Sequence, residues 1–186
     1  MTDARRFRDT VGTFPTGVTV VTARGAGGPA GLTTNAFTSL SLDPPLVLVC
    51  FDNESRTLPV VRESGRFAVN VLRRGQEDLA AVFASKRVQA DKFAGATHSE
   101  DHGVPVLDDA LAWLVCSVRE LLPGGDHTVG IGAVETMEAF DGEPLLFWRG
   151  SYRTSAGRVG RVCGDGPRVG SMPACCCSSH HGASSR

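Results

Sequence analysis

The chain has 186 residues, a net charge of −1, and 41% hydrophobic against 21% charged residues. These values suit one soluble globular domain with a possible tail, and the near-neutral balance gives no reason to expect nucleic acid or an anionic membrane as partner. The longest apolar run, residues 46–51, is far too short to span a bilayer, and no apolar stretch follows Met1 as a secretory signal would require, so a cytoplasmic location is expected.

Taken in chain order, Phe7, Val11 and Phe14 recur at helical spacing in a segment that stops at Pro15 and Gly17. Residues 18–23 (VTVVTA) form a β-branched strand, residues 25–31 (GAGGPAG) a turn, and residues 32–39 a returning strand, which together predict a hairpin. The same glycines match the dinucleotide fingerprint G-x-G-x-x-A, but that motif works only where a helix opens and offers its N-terminus to a pyrophosphate. Pro29, Gly31 and a Thr-rich strand stand there instead, which favours the hairpin.

Residues 31–57 (GLTTNAFTSLSLDPPLVLVCFDNESRT) concentrate hydroxyl and amide side chains where a packed strand would carry Val, Ile or Leu. An unpaired buried polar group costs roughly 1–3 kcal/mol, so half-buried Thr33, Thr34 and Asn35 need partners. Two explanations stand at this point: a strand with one wet face, or an edge along which a phosphate-bearing ligand lies. Residues 46–51 read as a strand buried on both faces, and Ser55 as the cap of a short helix ending near residue 63.

Residues 67–72 predict a further strand, and residues 76–85 (QEDLAAVFAS) a helix with Leu79, Val82 and Phe83 on one face. Strands follow at residues 111–118, 128–134 and 145–148. Six or seven strands with short flanking helices give a mainly β class and suggest a closed or split β-barrel. His127, in GGDHT, follows a Gly-Gly turn and opens a strand, which places it at a barrel rim, where ligands bind; a lone loop histidine is equally compatible with plain solvent exposure. His98 and His102 flank an acidic loop and read as surface residues.

Of six cysteines, Cys50 and Cys116 lie in apolar runs and behave as small hydrophobes, whereas Cys163, Cys175, Cys176 and Cys177 cluster near the end and form no disulfide framework. From residue 155 the chain has no aromatic residue and carries four Arg against one Asp, a net of +3 that leaves −4 on residues 1–154. Such a segment buries too little apolar surface to offset its ordering entropy, so residues 1–154 are the expected domain and residues 155–186 a disordered tail. Its CCCSSHH holds residue types that ligate zinc but no C-x-x-C pair, so no metal site is expected; the chain also lacks a P-loop motif.

FPTGVTVVTA, GLTTNAFTSLSLDPPLVLVC, ESRT, FAVNVL, DKF, GDHTVGIGAV and PLLFWRGSY occur in that order. Together, over about residues 7–152, they resemble the flavin reductase domain family, the small NAD(P)H:flavin oxidoreductases that supply reduced flavin to two-component monooxygenases. The resemblance implies a Greek-key split β-barrel and a homodimer with FMN or FAD near the subunit interface. It also implies NADH or NADPH as reductant, and a partner flavin-dependent monooxygenase reached by diffusible reduced flavin. Carried over by motif, Thr33, Thr34, Asn35 and Ala36 line the isoalloxazine and ribityl chain, and Ser39, Ser55, Arg56 and Thr57 reach the phosphate end. Cys50, Phe51 and Asp52 border the ring, while Phe83, Lys92 and Phe93 complete the site with a cation for the phosphate. His127 is the catalytic-site histidine near the nicotinamide, and Arg149, Gly150 and Tyr152 close that side.

Hydride transfer between two cofactors asks the protein mainly to stack and orient them, which agrees with a folded part showing no triad or paired-carboxylate motif. The alternatives are a non-catalytic flavin- or haem-binding carrier or sensor, and a ferric or disulfide reductase with tightly bound flavin. The GDHT and RGSY segments favour the flavin reductase, since a pure binder needs no nicotinamide side. The tail has no counterpart in the family.

Overall fold

The computed structural model describes residues 3–154, so the expected tail at 155–186 and its cysteines lie outside the described residues. Helix α1 (Ala4–Val11) is capped by Asp3, whose carboxylate accepts from the Arg5 N–H at 2.9 Å. After the short strand β1 (Thr16–Gly17), β2 (Thr19–Gly25) and β3 (Gly28–Thr34) form the expected hairpin. Gly28 leaves its tight turn at φ +103°, a conformation that favours glycine, and no helix opens there. The dinucleotide reading is thereby excluded.

The single strand expected over residues 32–39 is instead two. β3 ends at Thr34, and β4 (Phe37–Leu42) begins after Asn35 and Ala36. The Thr34 hydroxyl accepts from the Ala36 N–H at 3.1 Å, a local bond that competes with ladder pairing and marks the break. β4 then turns back into β5 (Pro45–Asp52). Helix α2 (Thr57–Ser64), β6 (Arg66–Val71), α3 (Glu77–Ala84) and α4 (Gln89–Phe93) follow. The small hairpin β7 (His98–Asp101) and β8 (Val104–Leu107) leads to the long pair β9 (Ala112–Gly124) and β10 (His127–Ala139), and the chain closes on β11 (Leu146–Trp148) and β12 (Ser151–Arg153).

Seven strands make the main sheet in the order β3-β2-β6-β9-β10-β5-β4, every neighbouring pair antiparallel. Its two edge strands, β3 and β4, are joined through Asn35 and Ala36 alone, a link that reaches at most about 11 Å. One corner of the two edges must therefore meet, which forces the sheet to curl. Register shifts in the β9–β10 ladder at Ile131/Gly132 and Val134/Thr136 add local twist in the same sense as a curled sheet requires. No ladder joins β3 to β4 among the described residues, so the sheet is curled but not closed.

The core corrects one expectation. In β5, Val47, Val49 and Phe51 are buried while Leu48 and Cys50 are only half-buried. That alternation belongs to an antiparallel strand with one face on the core, not to a strand buried on both. The Phe51 ring packs edge-on against Phe67, centroids 5.8 Å apart, and is wholly buried, so only its backbone is left for a ligand. Gly130 and Gly132 on β10 make room for this pair: a Cβ at either would stand 2.6 Å from Phe51 Cε2 or 2.5 Å from Phe67 Cζ.

A buried polar knot ties the β7–β8 hairpin to the sheet. Asn70 donates from Nδ2 to Val20 O at 3.0 Å and to Thr22 Oγ1 at 3.1 Å, and its Oδ1 accepts from Leu107 N at 2.8 Å. Burial pushes the Cys116 thiol up to about 12, which makes it an inert core group. No described helix is long and apolar enough to cross a membrane.

Candidate functional site

The turn from β5 into α2 is stiffened by its own polar groups. The Glu54 N–H donates to the Asp52 carboxylate at 2.8 Å, and the Ser55 N–H to Asp52 O at 3.0 Å. Ser55 caps α2 as expected, its hydroxyl accepting from Leu58 N at 3.2 Å. Arg56, at the capping position itself, contributes no side-chain cap, so its exposed guanidinium is not committed to the helix. A helix start carries unsatisfied N–H groups and a partial positive charge, and both favour an anion.

This helix start opens onto a groove of about 400 Å³ that also meets β3 and the α3–α4 segment. Seven expected residues line it: Thr33, Asp52, Ser55, Arg56, Thr57, Phe83 and Lys92. Arg56, Lys86, Arg87 and Lys92 outnumber the carboxylates of Asp52 and Glu54, so the lining carries a positive balance. Lys92 is only 5% exposed, and its ammonium donates to Gly31 O at 3.2 Å and Phe83 O at 3.0 Å. An ammonium has three donors, so one N–H remains after these bonds. Burial and then the charge of Arg56 hold its pKa below the ordinary 10.5.

Helix α4 thus seals the exposed edge of β3. Gln89 Oε1 accepts from Gly31 N at 2.9 Å while Lys92 takes the carbonyl of the same residue. Gly31 is required there, since a Cβ would stand 2.6 Å from the Phe83 ring. Phe93 does not reach the groove; it supports Phe83 from behind, edge-on at 5.0 Å. Thr33 donates to Ala80 O at 2.7 Å, so its hydroxyl already has one partner in α3. Thr33 and Thr34 are thereby explained by internal bonds, whereas Asn35, expected half-buried, is exposed, as are Thr38 and Ser39.

The other expected residues lie elsewhere. Asn35, Arg149 and Gly150 line an apolar hollow of about 790 Å³ with Phe7, Val11 and Phe14. Arg149 and Gly150 both take left-handed backbone, φ 49° and 74°, and the Arg149 guanidinium sits 4.9 Å from the Trp148 ring centre. Tyr152 packs on Phe147 at 5.6 Å, and burial raises its phenol pKa. Ala36 O accepts from Cys50 N at 3.0 Å and so ties the β3–β4 link to β5, while Ser39 is exposed on β4. Burial raises the Cys50 thiol pKa, so Cys50 is not a poised nucleophile.

His127 opens β10 directly opposite Asp52 in the β5–β10 register. It is half-exposed, and its Nδ1 lies 2.8 Å from the Asp126 carboxylate, which that bond holds below the usual carboxylate range. Its own hollow, about 480 Å³, includes Asn53, Arg62 and Leu121. Sequence reasoning missed Glu54, Ser85, Lys86, Arg87 and Gln89 in the groove; the basic pair after α3 was the signal that could have pointed to it.

Residues 11–156 match the family described as flavin reductase like domain. The reductase subunit HsaB of a flavin-dependent monooxygenase from Mycobacterium tuberculosis is 44% identical over 154 residues, covering 81% of this chain and 81% of that protein. An NADH-dependent flavin reductase from Rhodococcus sp is 39% identical over 158 residues, covering 80% of this chain and 84% of its own length. Among solved structures, the Streptomyces globisporus C-1027 NADH:FAD oxidoreductase SgcE6, in complex with NAD and FAD fragments, superposes with a TM-score of 0.78 at 39% identity, covering 83% of this chain and 93% of that one.

Proposed function

The chain belongs to the flavin reductase like domain family, and we propose on that premise that the groove at the start of α2 holds the phosphate end of a flavin while the His127 side receives reduced nicotinamide. The activity is NAD(P)H-dependent reduction of FMN or FAD, which supplies reduced flavin to a partner monooxygenase. Flavin and nicotinamide, when bound, supply the hydride chemistry itself. The chain's own residues bind, orient and shield them.

One observation carries the assignment of the phosphate end: the cationic groove in which a helix start, the uncommitted Arg56 and the buried Lys92 converge. An anion there offsets the desolvation of Lys92 and uses its remaining N–H. Ser55, Thr57 and the backbone at the start of α2 supply further donors, and Phe83, braced by Phe93, forms an apolar wall. Thr33, Thr34, Asn35 and Ala36, with Cys50, Phe51 and Asp52, run along the ring and ribityl chain in this reading, while Ser39, expected at the phosphate end, is exposed on β4 and does not line the groove. Their position at the β3–β4 link and on β5 beside the groove supports it, with Phe51 acting through its backbone alone. His127 orients the nicotinamide, and Arg149, Gly150 and Tyr152 close that side.

The curled seven-stranded sheet supports a split β-barrel for residues 1–154. The α1 helix has no buried residue, Phe7 and Val11 on it and Phe14 just beyond it are exposed, and β4 exposes Leu40 and Leu42. We assign these surfaces to a homodimer that completes the hollow around Arg149, and the protein to the cytoplasm. The test is nicotinamide consumption by the purified chain with and without added FMN or FAD. Consumption that rises with free flavin is expected; none with either flavin would contradict the assignment.

A further inference from the structure

Asn53 makes three hydrogen bonds to the tip of the β9–β10 hairpin. Its backbone N–H donates to Asp126 O at 3.1 Å, its Nδ2 donates to Gly125 O at 3.2 Å, and its Oδ1 accepts from the Thr128 hydroxyl at 2.7 Å. These contacts fall on both sides of His127. The Thr128 hydroxyl also accepts from Arg62 Nη2 at 3.2 Å, so its proton is directed at Asn53, and that fixes which way the Asn53 amide faces.

His127 itself is loosely held. Its ring pairs with the Asp126 carboxylate, which is 94% exposed and gives no anchorage to the fold. The imidazole position therefore depends on the backbone that carries it, and Asn53 grips that backbone. Asn53 also sits in the turn that carries Asp52, Ser55 and Arg56 into the cationic groove. We propose that Asn53 is a positioning residue: it pins the hairpin tip to the groove-lining turn and so sets the His127 imidazole for the nicotinamide. This rests on the reading that His127 faces the nicotinamide.

The test is a double-mutant cycle of Asn53→Ala and His127→Ala, with amide hydrogen exchange at residues 125–128 measured on flavin-free protein. Asn53→Ala should raise the KM for NADH about fivefold, the scale of losing one or two modest hydrogen bonds, and speed exchange at the hairpin tip. The FMN Kd should stay near wild type, because Asn53 does not line the groove, and the melting temperature should fall by only the few degrees that unpairing the buried Thr128 hydroxyl costs. In the His127→Ala background the extra KM effect should vanish. If His127→Ala raises KM and Asn53→Ala does not, or if both effects simply multiply, the inference fails while the reading of His127 stands. If His127→Ala leaves KM unchanged, that reading fails and the inference with it. Unchanged exchange at residues 125–128 in Asn53→Ala overturns the positioning role directly.

Discussion

Replacing Arg56 by alanine separates the phosphate contribution from every other contact the groove makes. The Arg56 side chain is exposed, caps nothing and lines the groove, so its removal should leave folding intact. A hydrogen bond to a charged group contributes about 1.5–3 kcal/mol when sheltered, and solvent screening of an exposed guanidinium brings this to roughly 1–1.5 kcal/mol. By the relation of about 1.4 kcal/mol per decade, the loss is near tenfold in Kd. It stops there because Lys92, held by the Gly31 and Phe83 carbonyls, remains in the groove and keeps part of the attraction.

The assay is flavin-fluorescence titration with FMN and with riboflavin, which lacks the phosphate. Arg56→Ala should weaken FMN about tenfold and riboflavin hardly at all, and added salt should erode the wild-type preference for FMN in the same direction. Equal weakening of both flavins, or of neither, would refute the placement of the phosphate.

Three further outcomes follow from the packing. Gly31→Ala drives the Phe83 ring out of a site where a Cβ would stand 2.6 Å away, and should cost about 1–3 kcal/mol in urea denaturation while weakening both flavins. Asn70→Ala strands the buried Leu107 N–H and should cost roughly 1–3 kcal/mol; a loss below about 0.5 kcal/mol would contradict the buried polar knot. Asp101 is held below the ordinary carboxylate value of 3.8, first by the Thr136 hydroxyl and then by His102. Its folded pKa is depressed, so its stabilisation is present above that value and is lost as pH falls through the folded pKa. Asp101→Asn should therefore show a shallower acid loss of stability than wild type, read by denaturation across the acid range.

The sequence made most main-sheet strands and the Ser55 cap legible because they rest on local chemistry, β-branched runs, Gly turns and a helix-start hydroxyl, but not the β7–β8 hairpin or the full length of β9 and β10. It misread residues 32–39 as one strand because the break at Asn35–Ala36 is set by which partner each half pairs with, a long-range choice that alternation does not report. The burial of β5 was overread for a related reason: a continuous apolar run looks the same whether one face or two is covered, and only the register with β10 separates Phe51 from Cys50. In the site, the turn from Asp52 to Thr57 was readable from its hydroxyls and Arg56. The contribution of α4 was half readable. The DKF motif pointed to Lys92, yet that its ammonium is tied to Gly31 and Phe83 carbonyls depends on how α4 lies against the β3 edge. Lys86, Arg87 and Asn53 were passed over because a charged pair after a helix, and a polar turn residue, usually signify only solvent.

The most direct test is a crystal structure of the protein soaked with FMN or FAD. The phosphate nearest the ribityl chain is expected at the start of α2, within hydrogen-bond reach of Ser55 and the Arg56 guanidinium and beside Lys92. Flavin density with its phosphate elsewhere, and the α2 groove filled only by solvent, would contradict it.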